Sequence, residues 1–235
     1  MRIDGTVRSG ATGEVFRGEA ARLAEVLAEL TEPDFARPTP CPPWSVRDLV
    51  AHVDTGAGRV LGMLAEPAPP RARVDAAGYF GPTKFAPEID RARIDTARRE
   101  GAGFGSGRKL AENFAATWRA AYDATCAAPP GRLVRTRHGD PMTLEDFLAT
   151  RVVELGVHGL DLAAALDRPP WLTAPAAELV AGLLTRSAGP AGDGLAADLH
   201  WDRLTLVAKA TGRQPLTARE RTEIERRGVR WLTLG

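Results

Sequence analysis

Three residues have the types and spacing to do chemistry together: His52, Glu154 and His158. Glu154 and His158 fall on one helical segment, where about 100° per residue places them about 40° apart on adjacent turns. Arg151 and Asp161 share that arc with Leu144, Phe147, Leu162 and Ala165, the apolar residues expected to face a core. Ionisable groups on such a face are costly unless they are paired. A local solution pairs Arg151 with Glu154 and His158 with Asp161, each at i,i+3. The alternative is a metal site, because Glu-x-x-x-His offers a carboxylate and an imidazole from successive turns. His52 supplies a third donor from another helix, at the flank of an apolar stripe. Taken alone, a histidine there reads as a core-edge residue. Two histidines and one carboxylate would leave coordination positions open, which is the composition of a catalytic site and not of a closed structural one. Asp48 and Asp161 are candidates for the outer shell, since a ligating histidine usually donates its other N–H to a carboxylate or carbonyl.

Other candidates carry less. Cys41, just before the second long helix, reads as a small buried hydrophobe more than as a thiolate favoured by a helix N-terminus. His138, in the loop 135–140, reads as a surface histidine, and His200, beside Trp201, as a structural one. The glycine-rich stretch 103–107 matches neither a P-loop nor a dinucleotide fingerprint.

The elements that must position these residues are helices. Apolar periodicity predicts long helices over 13–31, from Ser45 through Leu64, over 106–128, and from Thr143 to about Leu166. Ser45 with Asp48, and Thr143 with Asp146, have capping-box spacing, with Asp in place of the usual Glu or Gln. Residues 65–105 are rich in Pro, Gly and Arg, with a short helix expected near 88–99; Arg71, Arg73 and Tyr79 of this stretch are placed to wall a cleft. Shorter helices are expected at 174–187, 195–211 and 217–227, and no run alternates as a strand would. The fold class is therefore mainly all-α. A four-helix bundle is expected over residues 1–168, with a small, mostly helical C-terminal region over 169–235.

Composition narrows the function. The 235 residues carry 31 basic and 30 acidic side chains, a formal net charge of +1. That balance argues against nucleic acid or an anionic membrane as a partner. Two cysteines without CxxC spacing fit a reducing compartment. Residues Met1 to Gly5 open no apolar h-region, and no run approaches the roughly 20 apolar residues of a membrane span. The expected localisation is cytoplasmic, and the richness in Ala, Arg, Gly and Pro suggests a GC-rich bacterial source.

Two stretches together are familiar: Thr39-Pro40-Cys41-Pro42-Pro43-Trp44-Ser45-Val46-Arg47-Asp48-Leu49-Val50-Ala51-His52, and Arg151-Val152-Val153-Glu154-Leu155-Gly156-Val157-His158-Gly159-Leu160-Asp161-Leu162-Ala163. They resemble the mycothiol-dependent maleylpyruvate isomerase family of the DinB-like superfamily, over roughly residues 10–168. The resemblance implies a bundle that binds one divalent metal through His52, Glu154 and His158. Zinc is the expected ion, with nickel, manganese or iron as alternatives. It also implies mycothiol, an actinobacterial low-molecular-weight thiol, as co-substrate. The tail departs from the isomerase itself, whose C-terminal domain is mixed α/β, so the particular isomerisation does not carry over.

Three functions compete. The first is a metal- and thiol-dependent transferase or isomerase acting on a small electrophile, with Arg151 stabilising the developing anion. The second is a hydrolase using metal-bound water. The third is a non-catalytic bundle with a buried ion network. The expected partners are a small thiol and a small electrophilic substrate, in a monomer or homodimer. The residues that bind the thiol are not legible in the sequence.

Overall fold

In the computed structural model, residues 6–81 and 86–232 are described, with side chains from residue 10 onward. The expectation drawn from Met1 to Gly5 lies outside them. The chain is mainly helical, as expected, and no helix among the described residues is long and apolar enough to cross a membrane.

Four long helices form the bundle: α1 (Thr6–Ala28), α3 (Val46–Ala65), α6 (Gly107–Ala127) and α7 (Leu144–Ala165). Helix α1 packs on α6 and α7, and α3 packs on the same two, so α1 and α3 sit at opposite corners. Leu23 and Phe16 from α1, Leu49 and Val60 from α3, Phe114 from α6, and Phe147 and Leu162 from α7 fill the centre, each almost fully buried.

Local chemistry sets the helix starts. Ser45 caps α3 and accepts from the Asp48 N–H, while the Asp48 carboxylate accepts from the Ser45 N–H at 2.9 Å. Thr143 caps α7 by accepting from the Asp146 N–H at 2.9 Å. Helix α7 is not the one-sided amphipathic helix that its periodicity suggests. It is buried on nearly every side, because the C-terminal region covers the face turned away from the bundle.

Among the described residues, the stretch between α3 and α6 holds more helix than expected. It holds the one-turn α4 (Ala76–Tyr79) and α5 (Pro87–Gly103), which is longer than the helix expected there and packs along α3. A second one-turn helix, α2 (Glu32–Phe35), follows α1. Its Glu32 carboxylate accepts from the Gly107 N–H at 2.8 Å, and the Phe35 ring packs against Gly107. A Cβ at Gly107 would sit 2.1 Å from the Phe35 ring, so this glycine serves close packing and not phosphate binding. Gly107→Ala should therefore destabilise the protein by about 1–3 kcal/mol through overpacking. Thermal melts of the two proteins test this, and equal midpoints would refute it.

Two features depart from the sequence reading. Strands β1 (Leu133–Arg135) and β2 (Pro141–Thr143) form an antiparallel hairpin with Leu133 opposite Thr143. Three-residue strands are too short to show a period of two. The helix expected over 195–211 is broken into α9 (Leu195–Asp198) and α10 (Arg203–Ala210). The break falls at His200, which has a positive φ of 55° and is exposed at the turn. The other C-terminal helices are α8 (Ala174–Ser187) and α11 (Ala218–Arg227). Val180 and Leu184 of α8 and Leu206 of α10 join the same apolar core as the bundle, which thus continues across the expected boundary at residue 168.

Candidate metal centre

The site lies in the seam between α3 and α7. His52, from the second turn of α3, points its Nε2 at Glu154 Oε2 over 3.4 Å, and His158 Nε2 approaches the same oxygen at 3.4 Å. Three donor atoms, one from each of these residues, lie within 4.8 Å of one another. A tetrahedral ion with bonds of roughly 2.0–2.2 Å has donor–donor edges of about 3.3–3.6 Å, and the two 3.4 Å spacings to Glu154 fall within that range.

Each donor is oriented by a neighbour. The His158 Nδ1 lies 3.0 Å from Asp161 Oδ2, which leaves Nε2 to face the other donors. Asp161 is held in turn by Arg213, whose Nε and Nη2 donate to its two oxygens at 3.0 Å each. Arg213 itself is anchored just after α10, where its Nη1 donates to the Thr211 carbonyl at 2.7 Å. His52 has no such carboxylate; its ring stacks on Trp44, with centroids 4.8 Å apart and planes at 30°. The Cys41–Trp44 loop is tied back by Thr39, whose hydroxyl donates to the Trp44 carbonyl and accepts from the Cys41 N–H. Behind Glu154, Arg151 lies 3.8 Å away, only 4% exposed, in contact with the Thr150 and Tyr79 hydroxyls and over the Phe147 ring. Gly56 makes room for it, since a Cβ there would meet the guanidinium at 2.9 Å.

Both local ion pairs anticipated from helical spacing thus form, and the convergent donor set forms as well, because Glu154 serves both. Of the two outer-shell candidates, Asp161 is in contact with the His158 ring, whereas Asp48 is turned elsewhere. The Asp48 carboxylate is engaged at the helix cap, as its sequence distance from Ser45 favours, and Asp48 does not line the cleft.

The donors sit at the floor of a cleft of about 240 Å³. Tyr79 lines it as anticipated, whereas Arg71 and Arg73 do not. His138 and Arg137, carried on the β1–β2 turn, reach this cleft, so His138 is not a bystander on the surface. Cys41 also lines it, partly buried and within 4.8 Å of donor atoms of His158 and Asp161. His200 does not. Arg59, Arg93, Arg137 and Arg213 were not singled out by sequence, although an arginine one or two turns beyond a candidate ligand, as Arg59 is from His52, is a usable signal. Arg59 and Arg137 make no ion pair among the described residues. Burial, and then mutual repulsion among Arg59, Arg137 and Arg151, depresses the Arg59 pKa.

The titratable donors differ sharply. Burial pushes His52 down to about 4 despite the Glu154 carboxylate beside it. Burial acts on His158 in the same direction, but hydrogen bonds to Asp161, Cys41 and Glu154 outweigh it and hold that imidazole well above its ordinary value. Glu154 would be raised by burial, yet the two histidines and Arg151 keep it well below the usual carboxylate range. Without metal, then, His158 keeps its proton at neutral pH and His52 is neutral. The stability this proton contributes is complete below the ordinary histidine value of about 6.5 and fades as pH rises through the raised one. Zinc needs that lone pair, so its apparent affinity should climb with pH through the same window. Calorimetry in buffers of different ionisation enthalpy should find about one proton released per zinc near pH 7. Binding that releases none would contradict the assignment.

The chain is similar to several known proteins. Residues 16–163 match the model of the mycothiol maleylpyruvate isomerase N-terminal domain family. Two uncharacterized proteins of Mycobacterium tuberculosis, from the CDC 1551 / Oshkosh and ATCC 25618 / H37Rv strains, are each 27% identical over 151 residues, 64% of this chain. The chain spans about half of their length, 54%. The crystal structure of the mycothiol-dependent maleylpyruvate isomerase is similar at 15% identity, with a TM-score of 0.46 over 74% of this chain and 68% of that one.

Proposed function

This chain belongs to the mycothiol maleylpyruvate isomerase N-terminal domain family, and on that footing we propose that it is a divalent-metal-dependent enzyme using a low-molecular-weight thiol, mycothiol, to transfer sulfur to, or isomerise, a small anionic electrophile. The reading is carried by one observation: two imidazoles converge, each at 3.4 Å, on one carboxylate oxygen at the floor of a cleft walled by arginines. A divalent ion held there lowers the pKa of a thiol bound to it, supplying thiolate near neutral pH.

The chain's own residues supply the rest. His52, Glu154 and His158 hold the ion, and Asp161 keeps His158 in the tautomer that presents Nε2. Arg59 and Arg137, lacking carboxylate partners of their own, bind the anionic group of the electrophile and stabilise the charge that develops as the carbon–sulfur bond forms. Arg151 is assigned a different part from the one its sequence position suggests. Held by Thr150, Tyr79 and Phe147, it fixes Glu154 and keeps it ionised. Trp44 and Phe80 give the cleft apolar wall. The protein acts away from nucleic acid and membrane, in the cytoplasm.

The test is turnover of anionic and neutral electrophiles by zinc-loaded protein, with and without mycothiol. Turnover should require the thiol and favour the anions. Arg59→Gln should raise KM for the anions by roughly 10- to 100-fold, the loss of one hydrogen bond to a charged group. Zinc-dependent hydrolysis at the same rate without thiol would overturn the proposal.

A further inference from the structure

We propose that a second cavity, between α7 and α10, receives the body of the thiol co-substrate, whose sulfur reaches the metal donors past Cys41 and Arg213. This rests on the thiol-dependent reading above.

The first observation is one of size. Two reactants must meet at the metal, yet the cleft holds only about 240 Å³. A pocket for a single drug-sized ligand is typically about 300–1,000 Å³. Only the reacting ends of the two molecules fit in it. The arginine side of the cleft suits the anionic electrophile, so the thiol must approach from elsewhere.

The second observation is what adjoins the cleft. A cavity of about 940 Å³ lies between α7 and α10, walled by Leu160 and Ala163 on one side and Leu204 and Ala208 on the other. Cys41 and Arg213 line both spaces, and are the residues common to them. Asp161 lines the larger cavity while its carboxylate contacts the His158 ring. One layer of side chains thus separates this cavity from a metal donor. Thr205, Gln214 and Arg168 add hydrogen-bonding groups around the apolar walls. That mixture matches a thiol with a bulky polyhydroxylated body, whose ring faces are apolar and whose edges are polar.

The probe is S-methyl mycothiol, which keeps the body and cannot form a thiolate. Calorimetry should find it binding wild-type protein, zinc-loaded or zinc-free, with affinities within about twofold of each other. Ala208→Trp and, independently, Leu204→Trp fill the cavity and should each weaken binding by about tenfold or more. Zinc content and melting temperature, measured in parallel, identify any variant that fails to fold, and the second variant then decides. Absence of binding to wild type, or wild-type affinity in a folded filling variant, would overturn the assignment. Its failure is distinct from failure of the underlying function, because thiol-dependent turnover is measured separately on the wild-type enzyme.

Discussion

His158→Ala should purify without metal and should show no thiol-dependent turnover. The imidazole does two things at once. Its Nε2 is one of the two imidazole nitrogens that converge on Glu154 Oε2, and its Nδ1 links the set to Asp161. Loss of an outer partner alone typically weakens metal binding 10- to 100-fold, and loss of a donor together with its outer link should exceed the upper figure, more than about 100-fold. Elemental analysis and competition against a chelator measure this directly. A second readout avoids activity altogether. Excess zinc at about 100 times its Kd should stabilise the wild type by about 2.7 kcal/mol, and should leave the variant's melting temperature unmoved. The surrounding core of Phe147, Leu148 and Leu162 is unaltered, so the variant should remain helical. Metal content equal to wild type would remove His158 from the site.

Asp161→Asn should damage the protein in two separable ways. The carboxylate is 2% exposed and faces Arg213 through both oxygens, so its neutralisation strands a largely buried guanidinium. Breaking such a pair from one side costs about 3–5 kcal/mol. The same change weakens the hold on His158 and should lower zinc affinity about 10- to 100-fold. Adding Arg213→Leu removes the stranded charge, so the double variant should recover much of the stability while its zinc affinity stays low. Denaturant melts and zinc titrations on the single and double variants form the cycle. A single variant as stable as wild type would show that the pair is not closed in solution. The pH dependence has a definite sign. Asp161 would be raised by burial, but its bonds to His158 and Arg213 depress it below the ordinary aspartate value. Its contribution is therefore complete above about pH 4 and lost as pH falls further, towards the folded value. Asp161→Asn should flatten the acid limb of the stability profile.

The sequence alone determined what depends on neighbours within a turn or two. Ser45 and Thr143 begin their helices because hydroxyl, carboxylate and N–H groups three residues apart meet whatever the rest of the chain does. Glu154 and His158 share a column because a helix has 3.6 residues per turn, and Arg151 and Asp161 pair with them by the same rule. The same local rule gave Asp48 two possible parts, as cap partner of Ser45 and as outer partner of the site, and the carboxylate is engaged at the cap. What spans separate elements was left to the tertiary structure. His52 could be named as a candidate donor from its place at the flank of the second helix, but the angle at which α3 crosses α7 decides whether it meets Glu154, and spacing within either helix cannot express that. Arg213 lies 52 residues from Asp161, and only the packing of α10 against α7 and α8 brings its guanidinium to the carboxylate. His138 and Arg137 reach the cleft because a hairpin of three-residue strands turns them inward, and strands that short leave no periodic trace. Helical periodicity is a property of the covalent chain, whereas the cleft is a set of distances between elements that many side-chain contacts fix together.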